Sequence, residues 1–434
     1  MIARTRPYLP PLPEALLALA VMASFGLAAL FFARNGYLPQ PFIFDTNDTF
    51  MDWFNTSYWA NNPGTYDVWR SIYPPLSFVF LNIFSVHDCY LQSPFFARDC
   101  DWIGRSAIVV LYMLDVALLW LAFRRNCRRT AIPRTLAFAV GMPLLFTLER
   151  GNLILAALAA FILAHGPLVR SPLWRGLANA LAINFKPYLV IPSAALALKR
   201  KWRALELAGI ATVAIYLITL ALVGSGSPLA LLSNTVNWVQ FVSGQVWNEV
   251  NYSTSYASLL MLRQAQVPLL EFVPSRVIER IEFVVPLLIR ATQVLALAVA
   301  AGAWLQPRAL THARLALILI GAYFVSQSPG GYTQVFIVFL VFLEPWQGLA
   351  PKLAIVGAYL LSLVGDWPLA TVMQLNLESW LSGHPVSPSF GLTVGHFARP
   401  GVIILLVWVL GADSLVRVAK AHLEYRPNLG LAPA

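Results

Sequence analysis

The chain has 434 residues, of which 58% are hydrophobic and 12% charged, with a mean hydropathy of +0.66. About a quarter of a soluble domain is charged, so this composition excludes an ordinary soluble protein. The formal net charge of +10 sits in short clusters between apolar runs, which marks cytoplasmic loops and argues against a nucleic-acid partner. Several runs reach the ~20 apolar residues that cross a bilayer, while the short alternating segments of a β-barrel are absent. The expectation is an all-α integral membrane protein, one domain over residues 1–434.

Arg4 and Arg6 precede a first apolar helix near 14–34, which has no clear cleavage site and reads as retained, with the N-terminus inside. The connection 35–102 is then extracytoplasmic. It opens with "DTNDTFMDWFNTSYWANN" (45–62), which carries three acids, Asp45, Asp48 and Asp52, among five aromatics. Within the same connection, "YPPLSFVFLNIFSV" (73–86) is too short to span and predicts a half-inserted or surface-lying helix. Cys89 and Cys100 can form a disulfide there, whereas Cys127, inside "RRNCRR", reads as a reduced cytoplasmic thiol.

A second span near 103–123 ends at Arg124 and Arg125. Further spans are predicted near 133–149, 152–166, 174–186, 187–198, 204–223, 283–304, 314–328, 332–346, 353–374 and 398–412, about twelve in all, with basic clusters at alternate boundaries. Two outer connections remain. The longer, 224–282, predicts amphipathic helices at the headgroup level, and a shorter one lies near 375–397. No internal repeat of the transporter kind is visible.

Ionisable residues at membrane depth are expensive and point to function. They occur at three predicted hairpin tips, all on the side of the aspartates: "LERGNL" with Glu149, Arg150 and Asn152; "NFKPYL" with Lys186; and "SQSPGGYTQ" with Gln327, Tyr332 and Gln334. Arg290 lies about two turns into its span. A cavity holding Arg150, Lys186 and Arg290 suits a phosphate, because guanidinium offers a bidentate fork and lysine a point charge. The plainer reading is that Glu149 and Arg150 neutralise each other and Lys186 extends its amine to the interface.

These stretches resemble the GT-C superfamily of polytopic glycosyltransferases, and within it glycosyltransferase family 87. The likeness rests on "MDWFNTSYWANNPGTYDVW", "YPPL", "RGNLILAALAAFILA", "NFKPYLVIPSAALALKRKWR" and "SPGGYTQVFIVFLVFL", in the family's order over about residues 45–345. Two departures stand out: proline directly follows Lys186, and the family's late histidine is missing, with Tyr332 and Gln334 nearby. The resemblance implies a GT-C-like bundle of about a dozen helices and a polyprenyl-phosphate sugar donor, as in a mannosyltransferase of glycolipid or cell-envelope synthesis. It also implies an active site on the extracytoplasmic side of a membrane, the bacterial inner membrane being expected. The acceptor would be lipid-linked or a glycan. No Gly-rich nucleotide fingerprint contradicts this.

An inverting transfer needs one carboxylate to take the acceptor proton, since phosphate leaves without protonation. Asp52 matches the family's loop aspartate best, with Asp48 and Asp45 as alternatives that can equally be solvated loop residues. Arg150, Lys186, Asn152 and Arg290 are nominated for the donor phosphate. Glu149, Tyr58, Tyr73, Gln327, Tyr332 and Gln334 are nominated for substrate contacts. No cofactor is expected, and metal dependence is not, since no dense carboxylate cluster appears at helical spacing. Competing classes are a transporter or flippase of lipid-linked sugars and a polysaccharide polymerase or ligase. The one-sided placement of the unusual polar residues favours the enzyme.

Overall fold

A computed structural model describes residues 11–42, 46–224, 227, 229–241, 252–261, 273–327 and 329–425. Asp45, most of 242–272 and both chain ends lie outside the described residues.

Five described helices are long and apolar enough to cross a membrane. They are α1 (Leu12–Asn35), α5 (Trp102–Asn126), α11 (Trp202–Val223), α13 (Ser275–Leu305) and α17 (Val394–Tyr425). A sixth arises if α6 (Arg128–Ala139) and α7 (Met142–Arg150), bent by 41° at their junction, count as one span. Some of their ends have a legible cause. Gly36 and Gly224 adopt left-handed φ values of 74° and 68° and close α1 and α11. Asp101 opens α5 by accepting the Gly104 amide at 3.0 Å, and Arg124 and Arg125 lie in its last turn, where the helix dipole favours cations.

Much of the gap between these and the dozen expected spans is filled by short apolar helices: α8 (Ile154–His165), α9 (Pro172–Phe185), α10 (Ala194–Leu198), α14 (His312–Gln327), α15 (Gln334–Phe342) and α16 (Leu349–Leu361). A 12-residue helix covers only about 18 Å, well under a bilayer core. Every residue of α15 is buried, and α8 is nearly so, so these helices are apolar all round because longer neighbours enclose them. Phe123, Phe138, Phe161, Phe336, Phe339 and Phe342 fill the core between them. Outer faces such as Leu16, Leu19 and Leu27 of α1 remain exposed, as lipid-facing surface should.

The connection 35–102 folds into α2 (Met51–Asn61), α3 (Pro75–Ile83) and α4 (Pro94–Cys100), with Cys89 and Cys100 joined as a disulfide. In the connection 224–282, α12 (Ala230–Phe241) is described. The predicted span 353–374 requires correction. Its helix ends at Leu361, and the chain beyond forms β1 (Pro368–Gln374), antiparallel to β4 (Ser389–Thr393) with Thr371 opposite Gly391. A smaller ladder pairs β2 (Leu377–Ser379) with β3 (His384–Val386). Gly365, Asp366 and Pro368 break the helical pattern, and the architecture is mainly rather than wholly helical.

Candidate active site

Two loop-to-helix junctions meet at the N-terminus of α2. Phe50, the residue before α2, takes a left-handed φ of 65°, a conformation a bulky side chain adopts only when its surroundings enforce it. Its amide donates to the Glu149 carbonyl at 2.7 Å, and its ring packs edge-on against Trp380, 5.4 Å between centroids. Opposite it, α7 ends at Gly151, whose φ is 60°. A β-carbon at Gly151 would stand 3.0 Å from Ile108 and 3.1 Å from the Phe50 Cα, so only glycine lets the two junctions touch.

That contact assembles the polar cluster. Arg150 donates through Nη2 to Asp52 Oδ1 at 2.7 Å and through Nη1 to Asp48 Oδ2. Asn152 donates through Nδ2 to the other Asp52 oxygen at 2.7 Å, while its own Oδ1 accepts the Ile154 amide at the start of α8. Burial pushes the Asp52 carboxyl up, but the Arg150 charge, hydrogen bonds from Arg150 and Asn152, and the Lys186 charge outweigh it and hold Asp52 below its ordinary value. Asp52 therefore stays ionised at neutral pH. Its side chain is 21% exposed, as is that of Arg150.

Lys186 arrives from the end of α9, where Pro187 stops the helix. It is buried, with its ammonium 4.4 Å from the centre of the Tyr73 ring, and it has no ion-pair partner among the described residues. The Tyr73 hydroxyl lies beside Thr56 and Asn152. A carboxylate fixed by two donors thus shares a site with a lysine that forms no ion pair among the described residues, though the Asp52 and Lys186 charges attract each other.

The other nominated residues are placed as follows. Glu149 is buried behind Arg150 and accepts the Thr49 hydroxyl at 3.0 Å. Tyr58 packs edge-on against Trp69, and Tyr332 stacks on Phe146. Gln334 is fully buried and donates to the Ser253 carbonyl at 3.5 Å. Gln327 is exposed at the end of α14, and Arg290 is exposed on α13 with no hydrogen bond to this cluster. Among the described residues, no three of His, Cys, Asp or Glu converge as a metal site.

Some supporting residues were not anticipated. Arg98, 2% exposed, donates to Asn47 Oδ1 at 3.0 Å and to the Thr49 carbonyl at 3.3 Å, and its guanidinium lies 4.8 Å from the Trp380 ring centre. It holds the segment that carries Asp48. Its one hint was an arginine between the two cysteines. Tyr188, next to "KP", has a buried hydroxyl close enough to Tyr332 and Tyr73 to interact electrostatically.

A family model for glycosyltransferase family 87 matches residues 72–329. The chain belongs to glycosyltransferase family 87. No curated protein and no solved structure matches it. As a member of this family it is a membrane glycosyltransferase, and the matched region contains Tyr73, Arg150, Asn152 and Lys186. The aspartates precede that region and Tyr332 and Gln334 follow it, so the case for Asp52 rests on the contacts described above.

Proposed function

We propose that this family 87 member moves a sugar from a polyprenyl-phosphate donor to a lipid-linked or glycan acceptor at the extracytoplasmic face, with Asp52 as general base. The observation that carries the reading is the juxtaposition of an ionised, doubly held carboxylate with a buried lysine that bonds no carboxylate directly among the described residues. The acceptor oxygen attacks the anomeric carbon from one side as the bond to phosphate breaks on the other. The hydroxyl proton becomes strongly acidic as the new bond forms and passes to Asp52, even though Arg150 makes that carboxylate a weak base. Lys186 offsets the charge growing on the departing polyprenyl phosphate, and a desolvated cation does so better than one in water.

In this reading Arg150 serves Asp52 rather than the donor phosphate. Two carboxylates already engage its guanidinium, so it orients and ionises Asp52 while Lys186 meets the phosphate. The Cys89–Cys100 disulfide supports an extracytoplasmic site, because such bonds persist in oxidising compartments. Metal-independent transfer is proposed as well. The test is incubation of purified protein with a panel of polyprenyl-phosphate sugars, with and without chelator, scoring transfer to lipid and glycan acceptors. Transfer from nucleotide sugars alone, or sugar-lipid translocation without transfer, would overturn the proposal.

A further inference from the structure

The hairpin of α8 and α9 has a second end. Asn152 and Lys186 stand at one end and His165 at the other, about 18 Å away along the 12 residues of α8. There a cavity of about 510 Å³ opens, lined by Arg170, Arg175, Arg200, Lys201 and Arg203, and no aspartate or glutamate lines it. None of the five cations has an ion-pair partner among the described residues. Arg175 donates to the Ala164 carbonyl at 2.8 Å and Arg200 to the Trp304 carbonyl at 3.1 Å.

The wall behind them is rigid. His165 and His312 stack with ring planes 3° apart, and Nδ1 of His165 lies 3.0 Å from Nε2 of His312. Asn179 fixes the pair from behind, through His165 Nε2 at 3.2 Å, and is itself held by donating to the Ser193 hydroxyl at 2.7 Å. With Nε2 of His165 donating to the Asn179 oxygen, a neutral His165 must accept at Nδ1, so His312 donates from Nε2. Nδ1 of His312 is left buried without a partner.

We propose that this cavity is a second, non-catalytic binding site for a phosphate-bearing anion of head-group size. Basic loops of membrane proteins ordinarily present their charge to open water. Here Arg170, Arg200, Lys201 and Arg203 are exposed too, but with the half-buried Arg175 they line one concavity whose volume suits a small ligand, and guanidinium groups match phosphate oxygens bidentately. Trp202, on the cavity lining, is 52% exposed, and Trp174 on the adjoining α9 is 61% exposed. Exposed tryptophans of this kind sit at the level of lipid head groups. The cavity is therefore within reach of an anionic phospholipid as well as of a soluble phosphate compound.

The test uses the full chain in nanodiscs. One arm compares discs of phosphatidylcholine with discs also containing phosphatidic acid and measures retained lipid by native mass spectrometry. The other arm titrates inorganic pyrophosphate calorimetrically in phosphatidylcholine discs. The Arg170→Gln/Lys201→Gln/Arg203→Gln variant changes three exposed side chains, and Arg203→Glu alone gives an independent check that spares the fold. Each lost charge-assisted bond should weaken binding by roughly tenfold. Retention of phosphatidic acid that the variants lose supports a lipid ligand, and pyrophosphate binding that they lose supports a soluble one. Binding of neither probe, equal binding by the variants, or loss in Asp52→Asn with retention in the triple variant would overturn the site.

Discussion

Arg134 and Arg150 both clamp carboxylates, and the difference between them separates what holds this protein together from what it works with. Arg134 is 1% exposed and grips a Glu14 that is wholly buried, with two bonds of 2.8 Å. It also reaches the Glu344 carbonyl at 2.9 Å, while Tyr359 donates to Glu14 at 3.2 Å. The charge is matched and enclosed between α1, α6 and α16, with no surface left for a ligand. Arg150 is 21% exposed, its partners Asp48 and Asp52 are 30% and 21% exposed, and Lys186 lies near them without an ion-pair contact among the described residues. A closed network stabilises an arrangement of helices, whereas an open one, whose second cation bonds no carboxylate directly, can take up a substrate.

Asp52→Asn strikes the open cluster hardest. It should lower kcat for sugar transfer by about a hundredfold or more while lowering folding stability far less than breaking a fully buried ion pair would. Turnover near the wild-type rate would remove Asp52 from its role. Arg134→Ala should do the reverse, because it leaves Glu14 buried and unpaired. A loss of about 3–5 kcal/mol in stability is expected, with unchanged activity per folded molecule. A selective activity defect there would erase the distinction between the two clusters.

Lys186→Met keeps the apolar stem and removes the charge. The KM for the donor should rise roughly tenfold, with a smaller change in folding stability, because no carboxylate bonds the ammonium directly and Asp52 keeps Arg150 and Asn152. An unchanged KM would mean that the lysine is merely accommodated by Tyr73. The smallest effect concerns pH. A carboxyl held below its ordinary value keeps its charge as pH falls, and both its salt-bridge stabilisation and its capacity as a base disappear only below the usual carboxylate range of about 4. The acid limb of kcat/KM should accordingly lie below about pH 4. An Asp52-dependent limb nearer neutrality would show that Arg150 does not control this carboxylate.

The polar tips were readable from sequence because charge at membrane depth is rare enough to stand out residue by residue. Asp52, Arg150, Asn152, Lys186 and Tyr73 share one site, and all five were nominated. Their division of labour was hidden. Nothing local says that Arg150 bonds two aspartates about a hundred positions away while Lys186 bonds neither directly. Arg290 and Gln327, equally conspicuous in the string, stand exposed in the fold. The strands at 368–393 were missed because an apolar run inside a hydrophobic protein looks like a span until Leu361 is seen to end the helix. The short central helices were counted as crossings because burial by protein and burial by lipid select the same side chains.

Composition, the placement of basic clusters and the rarity of charges inside apolar runs were sufficient, without coordinates, to establish a helical membrane protein and to point to its family. These are additive properties, each residue contributing its own transfer free energy wherever its neighbours lie. Which cation bonds the aspartates and which does not was decided only by tertiary structure. That choice depends on the approach of Gly151 to Phe50 within van der Waals contact, and on α9 ending where Lys186 meets Tyr73. Pairing energies fall steeply with distance, so they belong to the folded arrangement of the chain.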